Sequence, residues 1–167
     1  MAYSIIAKRG PLNGAHLLPT GWPAARARLA GLPSGGLNIA HEAVDRHVAA
    51  GHGGETAIVW LGRDGERRVL TYAGLAAEAA RFAHVLRAQG VVPGERMFLL
   101  SGRVPELYAA TLGAMKAGVV VSPLFAAFGP EPVRARMEIG DARVLVTTAA
   151  FYARKVVPWR ASMPGLK

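Results

Sequence analysis

The sequence contains no cysteine. Without a thiol the chain can form no disulfide framework, no thiolate nucleophile and no cysteine-based zinc site. Acidic residues are also sparse, 11 Asp and Glu against 20 Lys and Arg, which leaves a formal net charge of +9. No apolar run can cross a bilayer, for which about 20 residues are needed. The longest, Gly118 to Gly129, is short and carries Ser122 and Pro123. The N-terminal residues, Met1 to Pro19, have no long apolar core behind a basic start. A secretory leader is therefore not expected, no membrane association is expected, and the cytoplasm is the default compartment. His16, His41, His47, His52 and His84 are scattered, and no two are spaced to share one helical turn, so no metal site is expected. Also missing are a Gly-x-Ser-x-Gly elbow, a Gly-x-x-x-x-Gly-Lys phosphate loop and a Gly-x-Gly-x-x-Gly turn after a strand.

What is present is an ordinary globular composition, 51% hydrophobic and 19% charged, in 167 residues, enough for one domain with a true core. The excess positive charge fits a domain that binds nucleic acid, a domain that binds an anionic cofactor such as a nucleotide or CoA, or part of a longer chain whose remainder balances it. The arginines are spread over helices and loops and are not interleaved with aromatic residues, so no nucleic acid is expected as a partner.

Residues 1–37 read as an arm containing one short helix, Pro23 to Leu32, started by Pro23 and ended at Pro33-Ser34-Gly35-Gly36. Asn38 is a natural cap for a helix over Ile39 to Ala50, with Ile39, Ala43, Val44 and Val48 as its apolar positions and Gly51 at its end. Gly51-His52-Gly53-Gly54 follows a helix, not a strand, so it reads as a connection and not as a nucleotide loop. Thr56–Leu61 and Arg67–Tyr72 flank Arg63-Asp64-Gly65-Glu66, the pattern of a hairpin whose two turn residues take positive φ. Thr71 caps a helix from Tyr72 to Gln89 with Leu75, Ala79, Phe82, Val85 and Leu86 as its buried stripe, and Gly90 stops it.

From there strands and helices alternate. Strands are predicted at Arg96–Ser101, Val119–Leu124 and Arg143–Thr147, and helices at Pro105–Lys116 and Glu131–Ile139. In the first of these helices Leu107, Thr111, Ala114 and Met115 point inward, and Lys116 at its end complements the helix dipole. A last helix starts near Ala149 and is interrupted by Pro158. Continuous apolar strands separated by helices specify an α/β fold: a mostly parallel sheet with flanking helices, plus the hairpin. These residues by themselves give a basic α/β domain and no mechanism.

Several segments, in this order, resemble the acetate–CoA ligase branch of the AMP-forming acyl-CoA synthetases, members of the adenylate-forming superfamily. They are Leu37-Asn-Ile-Ala-His-Glu-Ala-Val-Asp-Arg-His47, Leu70-Thr-Tyr-Ala-Gly-Leu75 and Gly94-Glu-Arg-Met-Phe-Leu-Leu100. Then come Arg103-Val-Pro-Glu-Leu-Tyr108, Gly113-Ala-Met-Lys-Ala-Gly-Val-Val-Val-Ser-Pro-Leu-Phe125, Phe128-Gly-Pro-Glu-Pro132 and Ala142-Arg-Val-Leu-Val-Thr-Thr148. The resemblance covers about residues 22–167. It implies that residues 38–167 are the first part of the superfamily's large AMP-binding (adenylation) domain, truncated before the ATP phosphate loop.

The resemblance further implies a two-step ligase. A carboxylate, acetate or another short one, attacks the α-phosphate of Mg-ATP, giving an acyl-adenylate and pyrophosphate; the CoA thiol then takes the acyl group and releases AMP. ATP, Mg and CoA are the cofactors implied for the intact enzyme. The catalytic residues are expected downstream of Lys167, so the isolated chain is expected to be inactive unless a second chain completes the domain. By segment, Phe125, Ala126 and Ala127 fall on the loop after the second core strand and Arg154 and Lys155 on the segment after the third, both of which line the CoA channel in the family. Many members have glycine where Ala126 and Ala127 stand. The bland alternatives are a core Phe125 and two solvated charges at Arg154 and Lys155. The competing functional readings are a non-catalytic CoA-binding or interaction module and, on the net charge alone, a basic nucleic-acid-binding domain.

Overall fold

The structure, a computed structural model, describes residues 21–167. By contacts the chain divides into two units, Met1–Ala30 and Gly31–Lys167. The first twenty residues of the expected arm lie outside the described residues.

In the first unit, helix α1 is Trp22–Arg26, with Pro23 in its first turn. The sequence predicts a helix running on to Leu32. Instead Arg28 and Leu29 donate to Ala25 and Arg26, the tighter three-residue spacing, and the helix ends. No residue of α1 is buried.

The second unit opens with a helical segment over residues 39–52, wound as wide turns at His41–Asp45 and Val48–His52. Asn38 caps it as expected, its side-chain oxygen accepting from the amides of Ala40 (2.9 Å) and His41 (3.4 Å). Gly51, at φ 90°, breaks it. The buried line runs through Ala40 and Val44, and Ile39 is 65% exposed and not part of the apolar face the spacing suggests, because no segment among the described residues covers it.

Strands β1 (Thr56–Leu61) and β2 (Arg67–Thr71) form the antiparallel hairpin. Its turn differs from expectation. The Gly62 amide donates to Glu66 O at 2.7 Å and Gly65 N to Gly62 O at 3.3 Å, and Gly65 alone in the turn has positive φ. The loop is therefore of the three-residue kind, in which one left-handed residue suffices, and Asp64 needs no strained backbone.

Helix α2 (Tyr72–Ala88) begins at Thr71, whose hydroxyl accepts from the Gly74 amide, and buries Leu75, Ala79, Ala83 and Leu86. Helix α3 (Pro105–Lys116) packs on it through Pro105, Ala110, Gly113 and Ala114. A Cβ on Gly113 would lie 2.5 Å from the Ala79 carbonyl oxygen and 2.9 Å from Phe82 Cβ. Helices this close put small residues at the centre and push Leu107, Thr111 and Met115, expected inside, to half-buried flanks. Val85 is 52% exposed because it lies on the rim of an uncovered groove beside β5, with Val144 and Val146.

Strands β3 (Arg96–Leu100), β4 (Val120–Pro123) and β5 (Ala142–Thr147) form a parallel sheet in the order β4-β3-β5, with helix α4 (Pro130–Ile139) between β4 and β5. Central β3 is buried on both faces, as its unbroken apolar run requires. Met97 and Leu99 face α2 and α3, joining Ala110, Ala114 and Val119. Phe98 and Leu100 face the other way, onto Val133 and Met137 of α4 and Val156, Trp159 and Leu166. At the outer edge of β5, Lys167 donates to Arg143 O and accepts from Leu145 N, both at 2.9 Å, the pattern of a parallel bridge. After β5 a short helix α5 (Ala149–Phe151), capped by Thr148, widens into a turn over Tyr152–Val156, and Pro158 follows where the helical path stops.

Long-range polar contacts tie these layers together. The Asn38 side-chain amide donates to Met115 O at 2.8 Å. Lys116, in the last turn of α3, also reaches both carboxylate oxygens of Asp45 at 2.5 Å. The Trp60 indole donates to Arg103 O at 2.7 Å, and Arg68 bridges to Glu106 at 2.9 Å.

Candidate functional site

Strand β3 sits between its two neighbours, with α3 on one face and α4 on the other. At the carboxyl end of the sheet the chain leaves β3 toward α3 and leaves β5 toward α5 on the opposite face. In open α/β sheets that divergence opens the crevice where ligands bind. At this end the Thr147 hydroxyl donates to Leu100 O at 2.6 Å, joining β5 to β3.

The two segments singled out in the sequence both lie at this end, one after β4 and one after β5. The structure joins them. Lys155 donates to the backbone carbonyls of Ala126 and of Phe128, the latter at 2.7 Å. Its ammonium also stands 4.6 Å from the centre of the Phe151 ring. Lys155 is itself gripped by its neighbours: the Trp159 indole donates to its carbonyl at 2.5 Å, and Val156 next to it is fully buried. The lysine is therefore no free solvated charge; it is consumed by protein acceptors.

Arg154 behaves differently. Its Nε donates to Ala150 O at 3.2 Å and the guanidinium lies 5.6 Å from the Phe151 ring, but the residue is exposed and no carboxylate pairs with it among the described residues. Phe125 is 67% exposed, a correction to its reading as core. The chain turns there, with Phe128 N donating to Phe125 O at 3.0 Å, so Phe125 stands outward and meets Phe128 edge-on, 5.6 Å centre to centre. Ala126 is half-buried and Ala127 exposed. Beneath them Arg136 of α4 lies 4.1 Å from the Phe128 ring centre and donates to Pro132 O. These residues flank an open groove of about 500 Å³ along β4 and α4, lined by Phe98, Leu124, Phe125, Phe128, Arg136 and Ile139 among others.

Phe128, Phe151, Arg136 and Trp159 escaped sequence reasoning. Each reads as an ordinary helix or core residue, and the contacts that matter run between segments 27 and 29 residues apart. The only available signal was the clustering of aromatic and basic residues in Phe151-Tyr-Ala-Arg-Lys155.

Elsewhere, several carboxylates are paired with arginine or lysine. The Glu106 carboxyl is held below its ordinary value, first by a backbone hydrogen bond at its own helix N-terminus and then by Arg68. Glu131 is likewise lowered by its hydrogen bond to Arg134. Among the described residues no three His, Asp or Glu side chains gather as a metal site would require, and no helix is long and apolar enough to cross a membrane.

A parallel sheet covered on both faces, with helices crossing between its strands, defines a doubly wound α/β domain. The family of AMP-binding enzymes matches residues 45–164. Acetyl-coenzyme A synthetase of Mycolicibacterium smegmatis is 38% identical over 121 residues, 72% of this chain and 13% of that protein. The enzyme of that name from Mycobacterium tuberculosis is 38% identical over 130 residues, 77% of this chain and 20% of its own length. Among solved structures, an acyl-CoA synthetase of Brucella canis superposes with a TM-score of 0.73 at 31% identity, over 81% of this chain and 25% of that one. A benzoate CoA ligase from Burkholderia xenovorans gives 0.67 at 27% identity, over 78% and 25%. The chain belongs to the AMP-binding enzyme family, and it spans a fifth or less of the length of these curated relatives.

Proposed function

We propose that this chain is the N-terminal portion of an AMP-forming acetate–CoA ligase acting in the cytoplasm, and that residues 38–167 are the opening part of its adenylation domain, ahead of the ATP phosphate loop. The observation that carries the reading is the 38% identity to acetyl-coenzyme A synthetases over about three quarters of the chain. The intact enzyme would join acetate, or another short carboxylate, to CoA with ATP cleaved to AMP and pyrophosphate.

Within that enzyme the described residues would form one rim of the CoA channel. Phe125, Ala126 and Ala127 supply a wall, and the exposed guanidinium of Arg154 supplies a cation suited to phosphate oxygens. Lys155 holds that rim. Phosphoryl transfer is assigned to none of these residues. The isolated chain should form no adenylate.

The test is to isolate the native protein from its source cells with an antibody to residues 31–167, read its mass, and assay AMP release. A mass several times 17.6 kDa, with AMP formed only when acetate, ATP and CoA are all supplied, is the expected result. A heavy product that releases no AMP with any short carboxylate would overturn the reading. A product near the mass of this chain, with no partner chain co-purifying, would favour a CoA-binding or interaction module instead.

A further inference from the structure

The Lys155 ammonium lies at the carboxyl end of the sheet, where a cation invites assignment to an anionic ligand. Its hydrogen bonds argue otherwise. Two backbone carbonyls, Ala126 O and Phe128 O, accept from it, and the Phe151 ring faces it at 4.6 Å. An ammonium has three donor positions. Two are spent on the loop, and a ligand phosphate could recruit it fully only by breaking bonds that hold residues 126–128. The backbone at residue 155 cannot swing away, because the Trp159 indole holds its carbonyl and Val156 is buried against α4.

We propose that Lys155 is a positioning residue: by bridging the Ala126 and Phe128 carbonyls it sets the shape of the loop after β4, so that Phe125 and Ala127 face the ligand and Arg154 is the cation left to meet its phosphates. This deepens the CoA-channel reading and rests on it for the ligand, but the bridge itself can be tested without CoA.

The 126 and 128 carbonyls would otherwise point at each other's neighbourhood with no donor between them. The cation satisfies both and ties together two segments 27 to 29 residues apart in the chain. The turn it stabilises has a reporter, the Phe128 amide, bonded to Phe125 O at 3.0 Å. One residue beyond β4 an internal control is available: the Leu124 amide is bonded to Leu99 O at 2.7 Å, continuing the β3–β4 ladder.

Amide hydrogen exchange on the 167-residue chain gives the first arm. In Lys155→Met, which keeps the aliphatic stem over Phe151 and removes both donors, the Phe128 amide should exchange about tenfold faster or more, as expected for losing charge-assisted hydrogen bonds. The Leu124 amide should be unchanged. Lys155→Arg, which keeps donors and charge, should restore most of the Phe128 protection. Equal Phe128 protection in wild type and Lys155→Met would overturn the proposal. If Lys155→Met proves too unstable for comparison, Lys155→Arg decides, with lost Phe128 protection relative to Leu124 counting against a bridge that a second donor group can replace.

The second arm titrates CoA against rising salt. Arg154→Ala should flatten the salt dependence of binding, because a screened phosphate contact is gone. Lys155→Met should weaken binding while leaving that dependence as in wild type. Flattening by Lys155→Met instead would make the lysine a direct phosphate ligand and overturn the positioning role. Absence of CoA binding by the wild-type chain would strike the CoA-channel reading alone, and the exchange arm would still decide the bridge.

Discussion

Gly113 sits in the middle of α3, where intrinsic propensity and tertiary packing make opposite demands. Replacing an interior helical glycine with alanine ordinarily stabilises the helix by about 1 kcal/mol. Here the added methyl would stand 2.5 Å from the Ala79 carbonyl oxygen and 2.9 Å from Phe82 Cβ. The first of these is backbone of α2 and cannot rotate aside, so α2 and α3 must separate by several tenths of an ångström or more. Overpacking of this kind costs about 1–3 kcal/mol, and a backbone obstacle puts Gly113→Ala at the upper end, about 3 kcal/mol. With propensity set against it, the net loss is about 2 kcal/mol, equivalent to a fall of roughly 4–8 °C in melting temperature for a domain of this size. Thermal unfolding followed by far-ultraviolet circular dichroism would measure it. The control is Gly54→Ala, where nothing lies within 4 Å of the new Cβ and restricting the unfolded chain should add about 0.4–1 kcal/mol. An unchanged or raised melting temperature for Gly113→Ala would refute the claim that close approach of the two helices requires a glycine there.

Two further outcomes follow from contacts described above. Asn38→Ala removes both the helix cap and the bond to Met115 O and should cost about 2 kcal/mol, about 1 for each role; Asn38→Asp, which keeps the cap, should cost about half as much in urea titrations. The lowered carboxyl of Glu106 implies a small stabilisation, fully present above the unfolded carboxylate value of about 4.3 and lost as pH falls through the lower folded value. Because the Arg68–Glu106 pair is exposed, its worth is a few tenths of a kcal/mol, screened by salt. Carbon-13 titration of the Glu106 carboxyl should give a midpoint below the ordinary one, and Arg68→Ala should raise it only in part, since a backbone hydrogen bond is the larger cause. A midpoint at or above the ordinary value would sink that account.

Much of this protein was already decided along the chain. The strands of the hairpin, the Thr71 and Asn38 caps, the burial of β3 on both faces and the alternation of strand and helix all follow from local chemistry: which backbone each residue tolerates, and which periodicity its apolar neighbours keep. The motif resemblance likewise needed only residue order, and it located the loop at Phe125–Ala127 and the basic pair Arg154 and Lys155. Local chemistry could not say which of several apolar residues would be covered. Ile39 and Val85 carry the right periodicity yet lie open, because burial depends on what another segment brings to that face. It could not show that Gly113 marks where α2 and α3 nearly touch, since in sequence it is merely a glycine in a helix. Nor could it distinguish the two adjacent cations. Arg154 and Lys155 are neighbours of the same charge, and only the fold, by placing the Ala126 and Phe128 carbonyls beside one and solvent beside the other, gave them different work. Hydrogen-bond acceptors nearly thirty residues away leave no trace in local pattern; they come within reach only when the sheet and α4 set the distance.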